Sequence, residues 1–363
     1  MRSLDLTVDG GRRLLHLDGR DEDPDLRAGI ELWDGVQKVL SFADATPLAS
    51  KADGRARVPL REGPHGPAPD GASAVEFGPD TFVWIAGPCA VDKPEFLGDV
   101  AQAAARAGAS MLRGGAFKPR TSPYAFQGLG RDGLLLLSAV SRDVGLPCVT
   151  EVLDPRDLDF IAQHADMVQL GARSMQNFPL LREAGACGRP VMLKRAPSAT
   201  LDELVAAAEY VLAAGCTDLV LCERGVRGFD PGRRNLLDLS AVPALGERTR
   251  LPVIVDPSHA TGRRSLVVPM AKASVPAGAA GVMVEVHPRP SESRSDAAQA
   301  LLPAELDPLG RALRALAALE GRRVPTGPLY NEARDEVIPR PATPEAQPES
   351  RTPTGPRTRP GRG

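Results

Sequence analysis

The residues of this chain best suited to chemistry stand just behind short apolar runs. Cys89 follows a Gly-Pro turn in FVWIAGPCAVD (82–92), His259 lies in DPSHATGRR (256–264), and Glu285 and Asp296 open and close EVHPRPSESRSD (285–296). A thiol, an imidazole and two carboxylates form a mixed soft and hard donor set suited to a first-row divalent ion such as Mn, Fe, Co or Zn. The spacing is not that of a zinc finger. On residues alone, a buried cysteine beside a helix-capping aspartate is the alternative.

A second group is cationic: Arg113, Lys118, Arg120, Arg173, Lys194 and Arg224. The whole chain has 44 Lys and Arg against 46 Asp and Glu, a net charge of −2. That balance gives no reason to expect nucleic acid or an anionic membrane as partner, so the positive charge is local. LRGGAFKPRTSPYAFQG (112–128) concentrates it: Gly114 and Gly115 permit close backbone approach, and Lys118, Arg120, Thr121 and Ser122 supply donors. A substrate carrying phosphate or carboxylate groups fits this set, with Arg offering a bidentate fork and Lys a point charge. A solvated basic loop is the alternative.

Positioning both groups in one place demands a particular scaffold. Eight apolar runs, FVWIA (82–86), SMLRG (110–114), PCVTEV (147–152), MVQLGA (167–172), PVMLKR (190–195), LVLCERG (219–225), PVIVDPS (252–258) and GVMVEVH (281–287), alternate with helical segments. The clearest helix is TLDELVAAAEYVLAAG (200–215), with Thr200 and Glu203 as a capping box and Gly215 as its stop. That rhythm predicts an α/β fold, a (β/α)8 barrel, whose active site lies at the carboxyl ends of its strands. A doubly wound open sheet is the alternative, but no Gly-rich dinucleotide fingerprint follows the first strand. Every strand ends in polar residues: Cys89; Arg113; Glu151; Arg173; Lys194 and Arg195; Glu223 and Arg224; Asp256 and His259; Glu285 and His287. Strands one, seven and eight become neighbours when the barrel closes, which gathers Cys89, His259 and Glu285, and the loop bearing Asp296 can fold over them.

Three zones are expected: an N-terminal extension (1–80) with one helix over 25–42 and a loop over 61–73, the barrel (81–325), and a Pro/Arg-rich tail (326–363) too poor in apolar residues to order. Five scattered cysteines, 89, 148, 187, 216 and 222, do not read as a disulfide framework. No secretory signal or membrane-length apolar run is visible, so a cytoplasmic protein is expected.

Taken together, IAGPC, LRGGAFKPRTSPYAFQGLG, QLGARSMQNF, CERG, DPSHATGRR and EVHPRP…SD resemble, in order and near-spacing, class I β-subgroup 3-deoxy-7-phosphoheptulonate (DAHP) synthases across about 82–320. The resemblance implies metal-dependent, aldol-like condensation of phosphoenolpyruvate with erythrose 4-phosphate, opening the shikimate pathway. It implies Cys89, His259, Glu285 and Asp296 as ligands of a divalent ion. It implies Arg113, Lys118, Arg173, Lys194 and Arg224 around phosphoenolpyruvate, with Arg120 and Thr121 at the aldose phosphate. Lys118 is the candidate general acid/base, beside Cys89 and His259. C3 of the enol phosphate attacks the polarised aldehyde, water captures C2, and phosphate leaves by C–O cleavage. A homo-oligomer, dimer or tetramer, is expected. The family also holds 3-deoxyoctulosonate 8-phosphate synthases, which carry an Asn-containing loop where this chain has KPRTS. Two other readings are a Schiff-base aldolase using Lys194 and a non-catalytic sugar-phosphate binder. PCAVD departs from the more usual Ser/Glu form after the cysteine.

Subgroup members with a regulatory domain carry a complete ferredoxin-like module at the N-terminus, whereas residues 1–80 resemble its later half. So short a segment has little core for a separate ligand-binding fold. Tyrosine and phenylalanine are therefore expected to inhibit weakly or not at all in a steady-state titration. Strong tyrosine inhibition that disappears on deleting residues 1–60 would establish a working effector domain instead.

Overall fold

The computed structural model describes residues 5–8, 12–15, 29–30, 32, 46–50, 56–60 and 75–331. Most of the helix expected over 25–42, the loop at 61–73 and the tail beyond 331 lie outside the described residues. At the N-terminus, β1 (Asp5–Val8) and β2 (Arg12–Leu15) pair antiparallel, with Asp5 opposite Leu15. β3 (Val58–Pro59) and β4 (Glu76–Phe77) form a second antiparallel pair.

The eight runs expected as strands form a closed parallel barrel: β5 (Val83–Gly87), β6 (Met111–Arg113), β7 (Cys148–Val152), β8 (Met167–Leu170), β9 (Val191–Lys194), β10 (Leu219–Glu223), β11 (Val253–Val255) and β12 (Gly281–Glu285). β12 pairs with β5 and sets Glu285 opposite Gly87, two residues before Cys89. Helices return the chain between strands, among them Pro94–Arg106, Gly130–Val144 and Leu201–Ala213, and Pro303–Leu319 follows the last strand. The capping box before Leu201–Ala213 is present: Glu203 N donates to Thr200 Oγ1 (3.1 Å) and Thr200 N donates to Glu203 Oε2 (2.7 Å).

Side chains alternate across each strand with period two, and this alternation divides the barrel into two cores. Val83, Ile85, Met111, Val149, Met167, Met192, Val220, Cys222, Ile254 and Met283 fill the interior. The intervening residues, such as Trp84, Leu112, Leu193 and Val284, pack outward among helices. Four of the inward residues are methionines, whose unbranched, deformable side chains suit an irregular interior. Continuing the same alternation to the carboxyl ends turns Gly87, Arg113, Glu151, Lys194, Asp256 and Glu285 toward the axis. The apolar filling therefore carries a polar upper layer.

Residues before the barrel close its opposite end. Val58, Val75 and Phe77 join the interior cluster. Ala56 N donates to Arg250 O (2.8 Å), and the backbone N–H groups of Leu48 and Ala49 donate to the Glu209 carboxylate (2.8 and 2.9 Å). Arg314, within the last helix, lies over the ring of Tyr330 beyond it, 4.3 Å from its centroid. Among the described residues no helix is long and apolar enough to cross a membrane.

Phe77 is fully buried in that closure. Phe77→Ala is expected to cost about 3–5 kcal/mol, as large-to-small changes of buried aromatics do. The urea midpoint should fall while the far-UV spectrum of the folded state is retained.

Candidate active site

Each side chain of the upper layer has a local reason to be where it is. At the end of β5, Gly87 lets the chain pass against Arg113, because a Cβ there would overlap the Arg113 carbonyl. Pro88 then turns the chain to present Cys89. In the next loop, Gly115 approaches the Cys89 carbonyl too closely for a side chain. Lys118 thus folds back, its Nζ donating to Cys89 O (2.8 Å) and lying 3.2 Å from Cys89 Sγ. Asp256 caps the short helix Pro257–Thr261 by accepting from His259 N (3.0 Å), which brings the imidazole over the barrel.

Cys89, His259, Glu285 and Asp296 converge, with one potential ligand atom from each lying within 4.8 Å of all the others. His259 Nε2 is 2.9 Å from Glu285 Oε1 and 3.9 Å from both Cys89 Sγ and Asp296 Oδ2, while Cys89 Sγ is 3.0 Å from Asp296 Oδ2. His259 Nδ1 is occupied by Asp256 Oδ2 at 2.6 Å, which fixes the ring and leaves Nε2 as the ligand atom. Burial alone would lower the His259 pKa, but the Asp256 and Glu285 carboxylates outweigh it and hold it up at about 10. Glu285 is wholly buried, which would raise its pKa, yet His259 and Arg113 hold it well below the usual carboxylate range.

The donor set fits a divalent cation. Glu285 Oε1 is buried without a hydrogen bond and faces the other three ligands. Its neighbour Arg113 Nη1 forms an ion pair with it at 3.2 Å but makes no hydrogen bond. A positive ion among the ligands and an anion before Arg113 would satisfy both atoms.

The cationic residues divide by depth. Arg113, Lys118, Lys194 and Arg224 are buried. Burial disfavours the Lys118 ammonium, but the charges of Cys89 and Glu151 raise its pKa, so it stays protonated. Lys194 Nζ is paired with Asp256 Oδ2 at 2.6 Å, so this nitrogen is engaged by a buried carboxylate. Burial lowers the Arg224 pKa, and among the described residues no carboxylate forms an ion pair with it. A buried guanidinium so placed is ready for an anionic ligand.

Arg173, Arg120 and Thr121 lie nearer solvent. Arg173 Nη1 donates to Pro119 O (2.6 Å), beside Lys118. Arg120 donates through Nε to Phe126 O (3.0 Å) and through Nη2 to Arg294 O (3.3 Å). The Arg294 guanidinium covers the Phe126 ring, 3.8 Å from its centroid. The KPRTS loop and the loop bearing Asp296 are thereby interlocked. Thr121 stands exposed on this loop and is not gathered into the buried set.

Three strand-end residues leave the site altogether. Arg195 and Glu223 follow the outward phase, pair at 2.9 Å and meet Asp238, so their charge is structural. His287 also turns away, packing edge-on against Phe96 with Nε2 at 3.6 Å from Asp92 Oδ2. Sequence reasoning gave Asp256 no role, although its place before Pro-Ser-His is a helix-capping signal. Gln299 Nε2 donates to Glu285 Oε2 (2.6 Å) and Arg234 Nη1 donates to Asp296 Oδ1 (2.9 Å), contacts that no spacing announced.

The mouth of this parallel barrel joins a Cys-His-Glu-Asp cluster, of a kind that could hold a metal ion, to four buried cations. Residues 63–319 match the family model described as the DAHP synthetase I family, and the chain belongs to that family. It is 48% identical over 227 residues to phospho-2-dehydro-3-deoxyheptonate aldolase of Thermotoga maritima, covering 62% of this chain and 67% of that one. It is 32% identical over 251 residues to 2-dehydro-3-deoxyphosphooctonate aldolase of Magnetococcus marinus, covering 64% of this chain and 86% of that one. The crystal structure of the Thermotoga DAHP synthase superposes with a TM-score of 0.72 at 38% identity, covering 89% of this chain and 92% of the other. A truncated form of that synthase gives 0.69 at 37% identity over 77% of this chain and all of the other.

If the four-residue cluster holds the ion, Cys89→Ala should remain folded yet lose bound metal together with turnover. Chelation with EDTA should abolish activity, and Mn²⁺ or another divalent ion should restore it. Full activity in a rigorously metal-free preparation would exclude the assignment.

Proposed function

We propose that this chain is a DAHP synthase, condensing phosphoenolpyruvate with erythrose 4-phosphate to give 3-deoxy-D-arabino-heptulosonate 7-phosphate and phosphate, the first step of the shikimate pathway. The observation that carries the reading is the junction of the ligand cluster with the buried Arg113 and with Arg224, which no carboxylate among the described residues pairs, in a barrel of this family. The identity of 48% to the heptonate enzyme, against 32% to the octonate enzyme, supports the four-carbon aldose.

Both substrates are phosphorylated and repel each other. Arg113, Lys118, Lys194 and Arg224 hold the phosphate and carboxylate of phosphoenolpyruvate, with Arg173 closing from the Pro119 side. Arg120 and Thr121 receive the aldose phosphate. Bringing two anions together in a preorganised cationic pocket converts a repulsive encounter into an intramolecular one. Cys89, His259, Glu285 and Asp296 would hold a divalent ion (Mn, Fe, Co or Zn), which when bound would supply Lewis-acid polarisation of the aldehyde carbonyl. The Lys118 ammonium, kept protonated beside Cys89, donates a proton at the oxygen that becomes the new hydroxyl. Asp256 keeps the proton of His259 on Nδ1, away from the ligand cluster.

The proposal extends to a cytoplasmic homo-oligomer, dimer or tetramer. All five cysteines are free, as a reducing compartment permits. The exposed Tyr124 and Phe229, on loops beyond β6 and β10, supply apolar surface for subunit contact.

The deciding assay follows phosphoenolpyruvate consumption with erythrose 4-phosphate, before and after chelation. Erythrose 4-phosphate should exceed arabinose 5-phosphate in kcat/KM by at least about tenfold, roughly 1.4 kcal/mol of transition-state preference. Arg120→Ala should raise the aldose KM far more than the phosphoenolpyruvate KM. Equal use of both aldoses would count against this substrate.

A further inference from the structure

Asp296 and Glu285 each have two carboxylate oxygens, and the structure treats the two differently. Asp296 Oδ2 and Glu285 Oε1 face the ligand cluster, whereas Asp296 Oδ1 and Glu285 Oε2 face away and are engaged by protein. We propose that Arg234 and Gln299 form a brace that fixes these outer oxygens and so holds both carboxylates in metal-binding register. This rests on the cluster being a metal site.

The brace is continuous. Arg234 Nη1 donates to Asp296 Oδ1 at 2.9 Å and to Gln299 Oε1 at 2.8 Å, and Gln299 Nε2 donates to Glu285 Oε2 at 2.6 Å. Chemistry leaves one orientation for the Gln299 amide. Arginine can only donate and an ionised carboxylate can only accept, so the amide oxygen must meet Arg234 and the NH₂ must meet Glu285. Gln299 is buried, so its two bonds are directional and protected from water.

Arg234 is itself held in place from a different loop. Its stem lies across Gly262, where a Cβ would come within 2.8 Å of Arg234 Cδ. The adjacent Asn235 donates from its backbone N to Ala260 O (3.1 Å) and from Nδ2 to His259 O (3.3 Å). At the base of this loop, Gly225 N donates to Glu223 Oε1 (2.6 Å), and Glu223 is locked by Arg195. Asp296 sits at φ +51°, a left-handed conformation uncommon for non-glycine residues though one that aspartate tolerates better than most, and the Arg234 contact anchors its side chain there. Arg234 and Gln299 are thus positioning residues, acting through two ligands without touching substrate.

The test titrates Co²⁺ into metal-free preparations of the parent, Arg234→Ala, Arg234→Lys, Gln299→Leu and the Arg234→Ala/Gln299→Leu double variant. Readouts are the dissociation constant and the near-ultraviolet Co²⁺–thiolate charge-transfer band, neither of which requires turnover. Arg234 is 41% exposed in its side chain, so Arg234→Ala retains the fold and alone can decide the matter. Expected are about 10- to 100-fold weaker Co²⁺ binding for Arg234→Ala and for Gln299→Leu, partial recovery in Arg234→Lys, and a double variant scarcely worse than either single one. Co²⁺ affinity of Arg234→Ala within twofold of the parent would overturn the brace. A parent that binds no Co²⁺ would overturn the metal centre itself, a separate outcome.

Discussion

The buried carboxylate of Asp256 is the interaction on which the rest of the barrel mouth depends. It has no solvent exposure and accepts from Lys194 Nζ, His259 Nδ1 and His259 N. Burial would raise its pKa, but the charges of His259 and Lys194 outweigh that and keep it well below the ordinary carboxylate range. One anion therefore pairs with Lys194 of the cationic set and orients the imidazole of the Cys-His-Glu-Asp cluster. Lys194 without this partner would be an uncompensated buried charge, which is strongly destabilising. The same carboxylate caps the helix that carries His259, so backbone and site geometry share one anchor.

That anchor also explains how so much charge sits over an apolar interior. Arg113, Lys118, Lys194 and Arg224 rise above a filling of valine, isoleucine and methionine, and Glu151, Asp256, Glu285 and Asp296 interleave with them. The remaining positive character is directed at Arg224, which among the described residues has no ion-paired carboxylate, whereas Arg113 meets Glu285 at 3.2 Å. Stability is thus supplied by the lower layers and the closure at Phe77, while the upper layer is organised around ligands.

Much of this was legible in the sequence because strands and polar strand ends are local properties. Cys89, Arg113, Lys194, Asp256 and Glu285 each sit at the end of an apolar run, and the barrel turns all such ends to one face. The alternation that sends Lys194 inward and Arg195 outward is also written in the chain, but strand ends read as a group conceal it. Arg234 and Gln299 were not legible at all. Their roles arise because two long loops, separated by more than sixty residues, return to the same carboxylates. Thr121 shows the converse: it was assigned through the motif around it, whereas its exposure depends on how the loop turns.

The interlocked loops at the mouth have an evolutionary consequence. Arg120 reaches the Arg294 carbonyl, Arg294 covers Phe126, and Arg294 lies two residues before Asp296. A mutation that reshapes the KPRTS loop is therefore transmitted to the loop that carries Asp296, and the reverse holds equally. If the first loop faces the sugar acceptor and Asp296 a metal, divergence toward a new acceptor and divergence toward a new metal preference would be coupled traits in this architecture.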